Sequence, residues 1–116
     1  MTIIEVIKNK KQFLSLLLLA DEQENMIDRY LERGTMYVLN DNGVKAECVV
    51  TDECNGILEI KNIATVPEYQ GKGYAKALID FIVKEYADKY SVLQVGTGDS
   101  PLTVPFYEKC GFVRSH

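Results

Sequence analysis

The chain has 116 residues, 47% of them hydrophobic and 26% charged, with a formal net charge of −4 at neutral pH. This size predicts a single domain over residues 1–116 with a modest core. The acidic balance argues against a nucleic-acid-binding protein, because such proteins need a basic surface to displace the counterions of the phosphate backbone.

Cysteine and histidine, the usual ligands of zinc, are scarce in this sequence. Cys48, Cys54 and Cys110 lack CxxC spacing, and the only histidine is the terminal His116. Neither a zinc site nor a histidine-based triad can be built from this set, so no metal is predicted. We interpret the thiols as reduced and the compartment as cytoplasmic.

The first elements in chain order are a strand and two helices. Apolar β-branched residues predict a strand over residues 3–7, and a leucine-rich run predicts a helix over residues 10–20. Lysines followed by an apolar run also occur in signal peptides, but this run is shorter than the about 20 residues that cross a bilayer. We therefore expect a buried helix and no membrane contact. A second helix is predicted over residues 22–33, ended by Gly34 as its C′ residue.

Three antiparallel strands are predicted in the middle of the chain. Residues 35–40 and 44–50 flank Asp-Asn-Gly, which favours a tight hairpin turn. A looser turn, TDECNG, leads into ILEIKNIATV, residues 57–66, the longest β-type run.

A helix, a strand and a short helix are predicted in the last part of the chain. Their expected ranges are residues 73–87, residues 92–98, and residues 106–110, the last helix starting near Val104 with Thr103 as its cap. The order β-α-α-β-β-β-α-β-α predicts an α/β fold with a mixed, mostly antiparallel sheet flanked by helices.

The loop between the longest strand and the following helix predicts an anion site. Gly71 and Gly73 leave the backbone unhindered at the positive end of a helix dipole, where amide groups bind anions. The Walker pattern GxxxxGK[ST] is absent, and the dinucleotide pattern GxGxxG would need a small residue at Lys76. The pattern that remains is Q-x-x-G-x-A over residues 70–75.

This pattern resembles the pyrophosphate loop [QR]-x-x-G-x-[GA] of the GNAT acyltransferase family. The stretch ATVPEYQGKGYAKALI matches the family through the strand exit, the loop and the helix, and PFYEKCGF matches its later FYEKxGF signature. The resemblance implies a GNAT-like fold that binds acetyl-CoA as co-substrate. The family places two more strands after GF, so a C-terminally truncated sheet is expected.

The resemblance also implies roles for individual residues. Ala64 and Val66 would offer backbone groups to the pantetheine arm, and an amide within residues 63–65 would polarise the thioester carbonyl. Tyr107 corresponds to the tyrosine that protonates the departing thiolate. The expected coenzyme contacts are Ala64, Thr65, Val66, Gln70, Gly71, Lys72, Gly73, Tyr74, Ala75 and Ser100, the last where many relatives carry asparagine.

The sequence does not decide which group acts as the general base that deprotonates the amine. Glu59 lies at the offset from Gln70 that the glutamate of the histone-acetyltransferase branch has. Ordered water serves many relatives instead, and Glu59 with Lys61 would then mark a solvated strand face. Glu47 and Glu53 are weaker candidates, expected to be surface carboxylates.

The resemblance implies transfer of an acetyl group from acetyl-CoA to a primary amine by direct attack in a ternary complex. The acceptor would be a small-molecule or peptide amine. The alternative is a catalytically weak coenzyme-A-binding or regulatory module of the same fold. Because the missing strands would leave residues 92–95 as an open sheet edge, we predict a homodimer through residues 92–95 and 107–112, with weak or absent transfer.

Overall fold

The computed structural model describes residues 1–95 and residues 102–105. Within these residues the chain forms six strands and three α-helices. In chain order they are β1 (Thr2–Val6), α1 (Leu14–Ala20), α2 (Glu24–Leu31), β2 (Thr35–Asn40), β3 (Val44–Asp52), β4 (Ile57–Thr65), α3 (Tyr74–Tyr86), β5 (Val92–Val95) and β6 (Leu102–Pro105), with 3-10 turns at Lys10–Phe13 and Pro67–Tyr69.

All six strands form one sheet in the order β1-β2-β3-β4-β5-β6. Every neighbouring pair is antiparallel except β4 and β5, which are parallel. The predicted mixed, mostly antiparallel sheet is therefore confirmed. The parallel pairing joins only Ile57 to Ile60 with Val92 to Val95, so the remainder of β4 pairs only with β3 among the described strands.

Helices cover both faces of the sheet because its strands carry apolar side chains on both sides. Helix α3 buries Leu78, Ile82 and Val83 against one face, together with Leu39, Cys48, Val50, Ile60 and Leu93. Helices α1 and α2 cover the other face, where Leu17, Ile27, Tyr30 and Leu31 pack on Met36, Val38 and Val49.

The β2–β3 turn follows the predicted turn chemistry. Asn42 and Gly43 have φ angles of 57° and 107°. Asn40 pairs with Val44, so the loop holds three residues, Asp41 to Gly43. Asparagine and glycine adopt positive φ at low cost. Local sequence therefore sets this hairpin.

The last described strand corrects two predictions. Val92 lies opposite Pro105 and Val95 opposite Leu102 in the antiparallel β5–β6 pair. Val92–Val95 is therefore not the sheet edge, and Thr103 and Val104 lie in a strand rather than at the start of a helix. The predicted homodimer loses this open edge as its basis and stays a prediction. Residues 96–98 of the expected strand and the expected helix over residues 106–110 lie outside the described residues.

Gly34 follows α2 for a reason other than the predicted left-handed cap. Its φ is not among the positive glycine angles of this chain. A Cβ placed on it would lie 2.8 Å from the Tyr30 carbonyl oxygen and 2.9 Å from both the Val50 carbonyl oxygen and Val49 Cγ1. Glycine is needed here because the end of α2 passes so close to β3.

We predict that Gly34→Ala lowers the free energy of unfolding by about 3 kcal/mol, the upper end for overpacking, because two of the three clashing atoms belong to the backbone. Gly71→Ala is the control. Its Cβ meets nothing within 4 Å, so only its positive φ adds a cost, of about 1 kcal/mol. Urea unfolding of the two variants checks the difference, and equal losses would contradict the packing argument.

Candidate functional site

A cavity of about 430 Å³ lies along the part of β4 that β5 does not pair. Its walls come from the end of α1, the end of β4, the glycine loop and the first turn of α3. The residues that line it are Leu19, Ile63, Ala64, Thr65, Gln70, Gly71, Gly73, Tyr74, Ala75 and Lys76.

The backbone groups of Ile63 and Thr65 point toward the unpaired side of β4. The Val66 N–H donates to the Lys45 carbonyl at 2.8 Å, and Ala64 stands opposite Glu47 on β3. Because an antiparallel strand directs alternate residues to opposite sides, residues 64 and 66 bond to β3 and residues 63 and 65 point away. The prediction that Ala64 and Val66 offer free backbone groups is therefore wrong by one residue.

The loop and the start of α3 form an uncapped helix N-terminus. Gly71 and Gly73 have φ angles of 82° and 88°, which glycine adopts without strain. No side chain caps the helix, and the described residues give the N–H groups of Tyr74, Ala75 and Lys76 no acceptor. A Cβ at either glycine would meet nothing within 4 Å, so donors and space for an anion coincide here.

Two lysines bring positive charge to this loop. Lys45 Nζ lies 4.0 Å from the centre of the Tyr69 ring, and Lys72 Nζ lies 5.9 Å from it. The Tyr74 hydroxyl donates to Asp41 at 2.7 Å, which ties α3 to the β2–β3 turn. Sequence analysis missed Lys45, because only the pairing of β3 with β4 brings it to the loop.

Glu59 is buried rather than part of a solvated strand face, with 8% of its surface exposed. One carboxylate oxygen accepts a hydrogen bond from Gln94 Nε2 at 2.6 Å, and the other pairs with Lys61 Nζ at 3.0 Å. Glu59 lies in the part of β4 that pairs with β5 and does not line the cavity.

Glu47 is the opposite of the expected surface carboxylate. It is fully buried on the face covered by α1 and α2, and neither carboxylate oxygen has a hydrogen-bond partner among the described residues. Burial raises its pKa from 4.5 to about 8. Glu53 is partly exposed, and its hydrogen bond from Thr51 lowers the pKa of its carboxyl.

Glu47 makes stability depend on pH. Between 4.5 and about 8 the folded protein keeps a proton on Glu47 that the unfolded chain has released. This contribution is therefore full below the unfolded pKa and is lost as pH rises toward the folded value, by at most about 1.4 kcal/mol per pH unit. We predict that Glu47→Gln stabilises the protein more at about pH 8 than at about pH 5. Denaturant unfolding at both pH values measures this, and an equal effect at both would contradict it.

Most of the predicted coenzyme contacts that fall in the described residues meet at one cavity. Val66 and Lys72 do not line it. Ser100 and Tyr107 lie outside the described residues. In the described part of the chain no three metal-ligating side chains come together, and no helix there is long and apolar enough to cross a membrane. The predicted residues that line the cavity are Ala64, Thr65, Gln70, Gly71, Gly73, Tyr74 and Ala75.

Comparison with known proteins shows the family to which this chain belongs. The family model of the acetyltransferase (GNAT) domain matches residues 32–114. The chain belongs to the GNAT family. The uncharacterized N-acetyltransferase YvbK of Bacillus subtilis is 35% identical to it over 104 residues, which cover 87% of this GNAT chain and 67% of that protein.

Solved GNAT structures share the fold. A GNAT family acetyltransferase from Elizabethkingia anophelis with acetyl-CoA bound is 32% identical, with a TM-score of 0.77 over 85% of this chain and 66% of that one. A Bacillus subtilis acetyltransferase in complex with CoA is 28% identical, with a TM-score of 0.76 over 94% and 74%. This GNAT chain thus spans about two thirds to three quarters of the length of these relatives.

Proposed function

We propose that this GNAT chain transfers an acetyl group from acetyl-CoA to a primary amine by direct attack in a ternary complex. The observation that carries the proposal is the uncapped start of α3, which opens with its glycine loop onto the cavity beside the unpaired part of β4. An anion site continuous with a strand edge that no other described strand pairs suits a long ligand that combines a diphosphate with amide groups.

The residues of the cavity fit coenzyme A. The amides of residues 71–76 would hold the pyrophosphate, and the backbone groups of Ile63 and Thr65 would pair with the pantetheine amides as a neighbouring strand does. Bound acetyl-CoA would supply an activated thioester at the far end of this edge. Gln70 Nε2 already donates to the Thr65 carbonyl at 3.3 Å, which fixes the loop to the strand and leaves the Thr65 N–H for a ligand.

The positions of the two described cysteines support direct attack of the amine on the thioester. In the overall reaction a C–N bond replaces the C–S bond, the amine loses protons and the coenzyme sulfur gains one. A covalent acetyl-enzyme would need an ionised thiol at the cavity. Cys48 is buried, which raises the pKa of its thiol, and the exposed Cys54 does not line the cavity. Neither of these two cysteines fits that role, and Cys110 lies outside the described residues.

The experiment that tests the proposal is steady-state release of free thiol from acetyl-CoA with and without a mixture of small amines and short peptides. The transferase is expected to release thiol in proportion to amine and to yield the acetylated amine in equal amount. Binding of acetyl-CoA without amine-dependent release would instead establish the coenzyme-binding or regulatory module.

We also propose that the protein acts in the cytoplasm.

A further inference from the structure

Three hydrogen-bond acceptors lie buried beneath α1 and α2 without a donor. They are Glu47 Oε1, Glu47 Oε2 and Asn62 Oδ1. Asn62 pairs with Val49, two residues from Glu47, so the two side chains are diagonal neighbours on one face of the sheet. We call the three atoms the acceptor cluster. Asn62 Nδ2 donates one hydrogen to the Leu17 carbonyl at 2.9 Å and the other to the Tyr30 hydroxyl at 3.0 Å. The Tyr30 hydroxyl in turn donates to Asp21 at 3.2 Å. The hydrogens of the Asn62 amide and the Tyr30 hydroxyl are therefore all donated to other acceptors, and none of them is available to the acceptor cluster.

The acceptor cluster adjoins the cavity. Glu47 and Ala64 are direct partners across β3 and β4, so their side chains leave the same face with Cβ atoms about 5 Å apart. Ala64 lines the cavity, as does Leu19 at the end of α1. Glu47 itself does not line the cavity, so it lies one strand away from the space beside the β4 edge, behind Ala64.

A primary ammonium group matches the acceptor cluster in both hydrogen bonds and charge. It brings three N–H donors and one positive charge to three acceptors, of which two belong to one ionisable carboxyl. Protonation of Glu47 alone would supply a single hydrogen. We propose that Glu47 and Asn62 receive the amino group of the acceptor and that Glu47 removes its first proton, an inference that rests on the proposed function and defines its amine subsite.

The covering helices determine access to the acceptor cluster. Helices α1 and α2 have 7 and 8 residues, and neither has a side-chain cap. Leu19 at the end of α1 is half exposed and lines the cavity, so the amine would enter past Leu19.

The proton balance is simple. One ammonium proton passes to Glu47 and later to solvent. The freed nitrogen lone pair then forms the C–N bond as the C–S bond breaks, and the second proton of the nitrogen balances the thiolate. The products are an amide, a free thiol and one proton.

Few other charges bear on Glu47. The titratable groups that face it from the covering elements are Tyr30 on α2 and Asp21 between the helices, since α1 (LSLLLLA) carries none. Burial raises the pKa of Tyr30 to about 12, so it stays neutral over the working range.

Glu47→Gln in the whole chain tests the proposal, with spermidine and phenethylamine as probe amines. Glutamine copies the shape of a protonated glutamate, so the fold is retained. We expect kcat/KM for the amine to fall about 100-fold or more, with the acetyl-CoA dissociation constant unchanged. The pH dependence of the remaining activity should also flatten. Glu5→Gln, which changes an exposed carboxyl on β1, is the control that keeps the wild-type rate.

Two results would overturn the proposal. One is a wild-type rate and pH profile in Glu47→Gln, including the case in which Glu59→Gln loses them instead. The other is found by a binding experiment, which is needed if the wild-type chain binds acetyl-CoA but acetylates neither probe. In that case the proposed function fails for these amines, and the amine subsite is tested by itself. Spermidine binding in the presence of CoA is then measured by calorimetry. Binding lost in Glu47→Gln supports the amine subsite, and equal or absent binding in both proteins contradicts it.

Discussion

Gly73→Glu is expected to weaken coenzyme A binding by more than about 100-fold while the protein stays folded. The substitution places a carboxylate at the N-cap of α3, where the free amides of the first turn would hold the pyrophosphate. The new side chain has room, since a Cβ at Gly73 meets nothing within 4 Å, and its positive φ costs only about 1 kcal/mol. The loss would therefore come from repulsion and from blocked amides rather than from unfolding.

Gly73→Gln is the matched control for this experiment. It carries the same shape and the same positive φ as the glutamate variant, so the difference between the two reports the charge alone. We expect Gly73→Gln to bind coenzyme A more weakly than the wild type but more tightly than Gly73→Glu. Calorimetry measures all three, and wild-type affinity in a folded Gly73→Glu protein would contradict the assignment of the loop.

Tyr107→Phe is expected to lower kcat by about 100-fold with little change in the dissociation constant of acetyl-CoA. The expectation rests on the match of FYEKC to the family signature, in which the tyrosine protonates the departing thiolate. A hydroxyl that acts in the transition state affects kcat rather than ground-state binding. Proton transfer of this kind contributes about 100-fold to 10,000-fold.

Tyr90→Phe serves as the control for the loss of a hydroxyl, because Tyr90 packs beside the core near the end of α3, away from the cavity. It is expected to keep the wild-type kcat. Stopped-flow and steady-state thiol release give kcat for each variant. Equal kcat values in wild type and Tyr107→Phe would show that Tyr107 does not take part in the chemistry.

Local chemistry explains why much of the fold could be predicted from sequence. The Asn42-Gly43 turn and the helical spacing of Leu78, Ile82 and Val83 depend on neighbours in the chain. The glycine loop was predictable for the same reason, since a helix start after a strand is a local pattern. These features needed no knowledge of distant contacts.

The failures came from the pairing between strands. β6 holds Thr103 and Val104, β-branched residues that favour strands, yet FYEKC, residues 106–110, suggested a helix that starts near Val104. Pairing with β5 decided the matter. The side to which Ile63 and Thr65 direct their backbone groups depends on the register with β3, which shifts at Val49.

Glu47 shows the same limit at the site. Strand alternation alone puts it on one face of β3, but what covers that face depends on where α1 and α2 pack. A glutamate among apolar strand residues looks the same in sequence whether solvent or a helix lies over it. The buried carboxyl could be found only from the assembled sheet.

A crystal structure of this chain with acetyl-CoA tests the central claim most directly. The pyrophosphate is expected on the amides of residues 71–76, with the pantetheine arm along β4 and its amides paired with the backbone of Ile63 and Thr65. The acetyl group should then lie at the edge of β4, on the face of the sheet that carries the side chains of Ala64 and Glu47. Acetyl-CoA bound elsewhere on the protein, or an arm that leaves the β4 edge unpaired, would contradict the account.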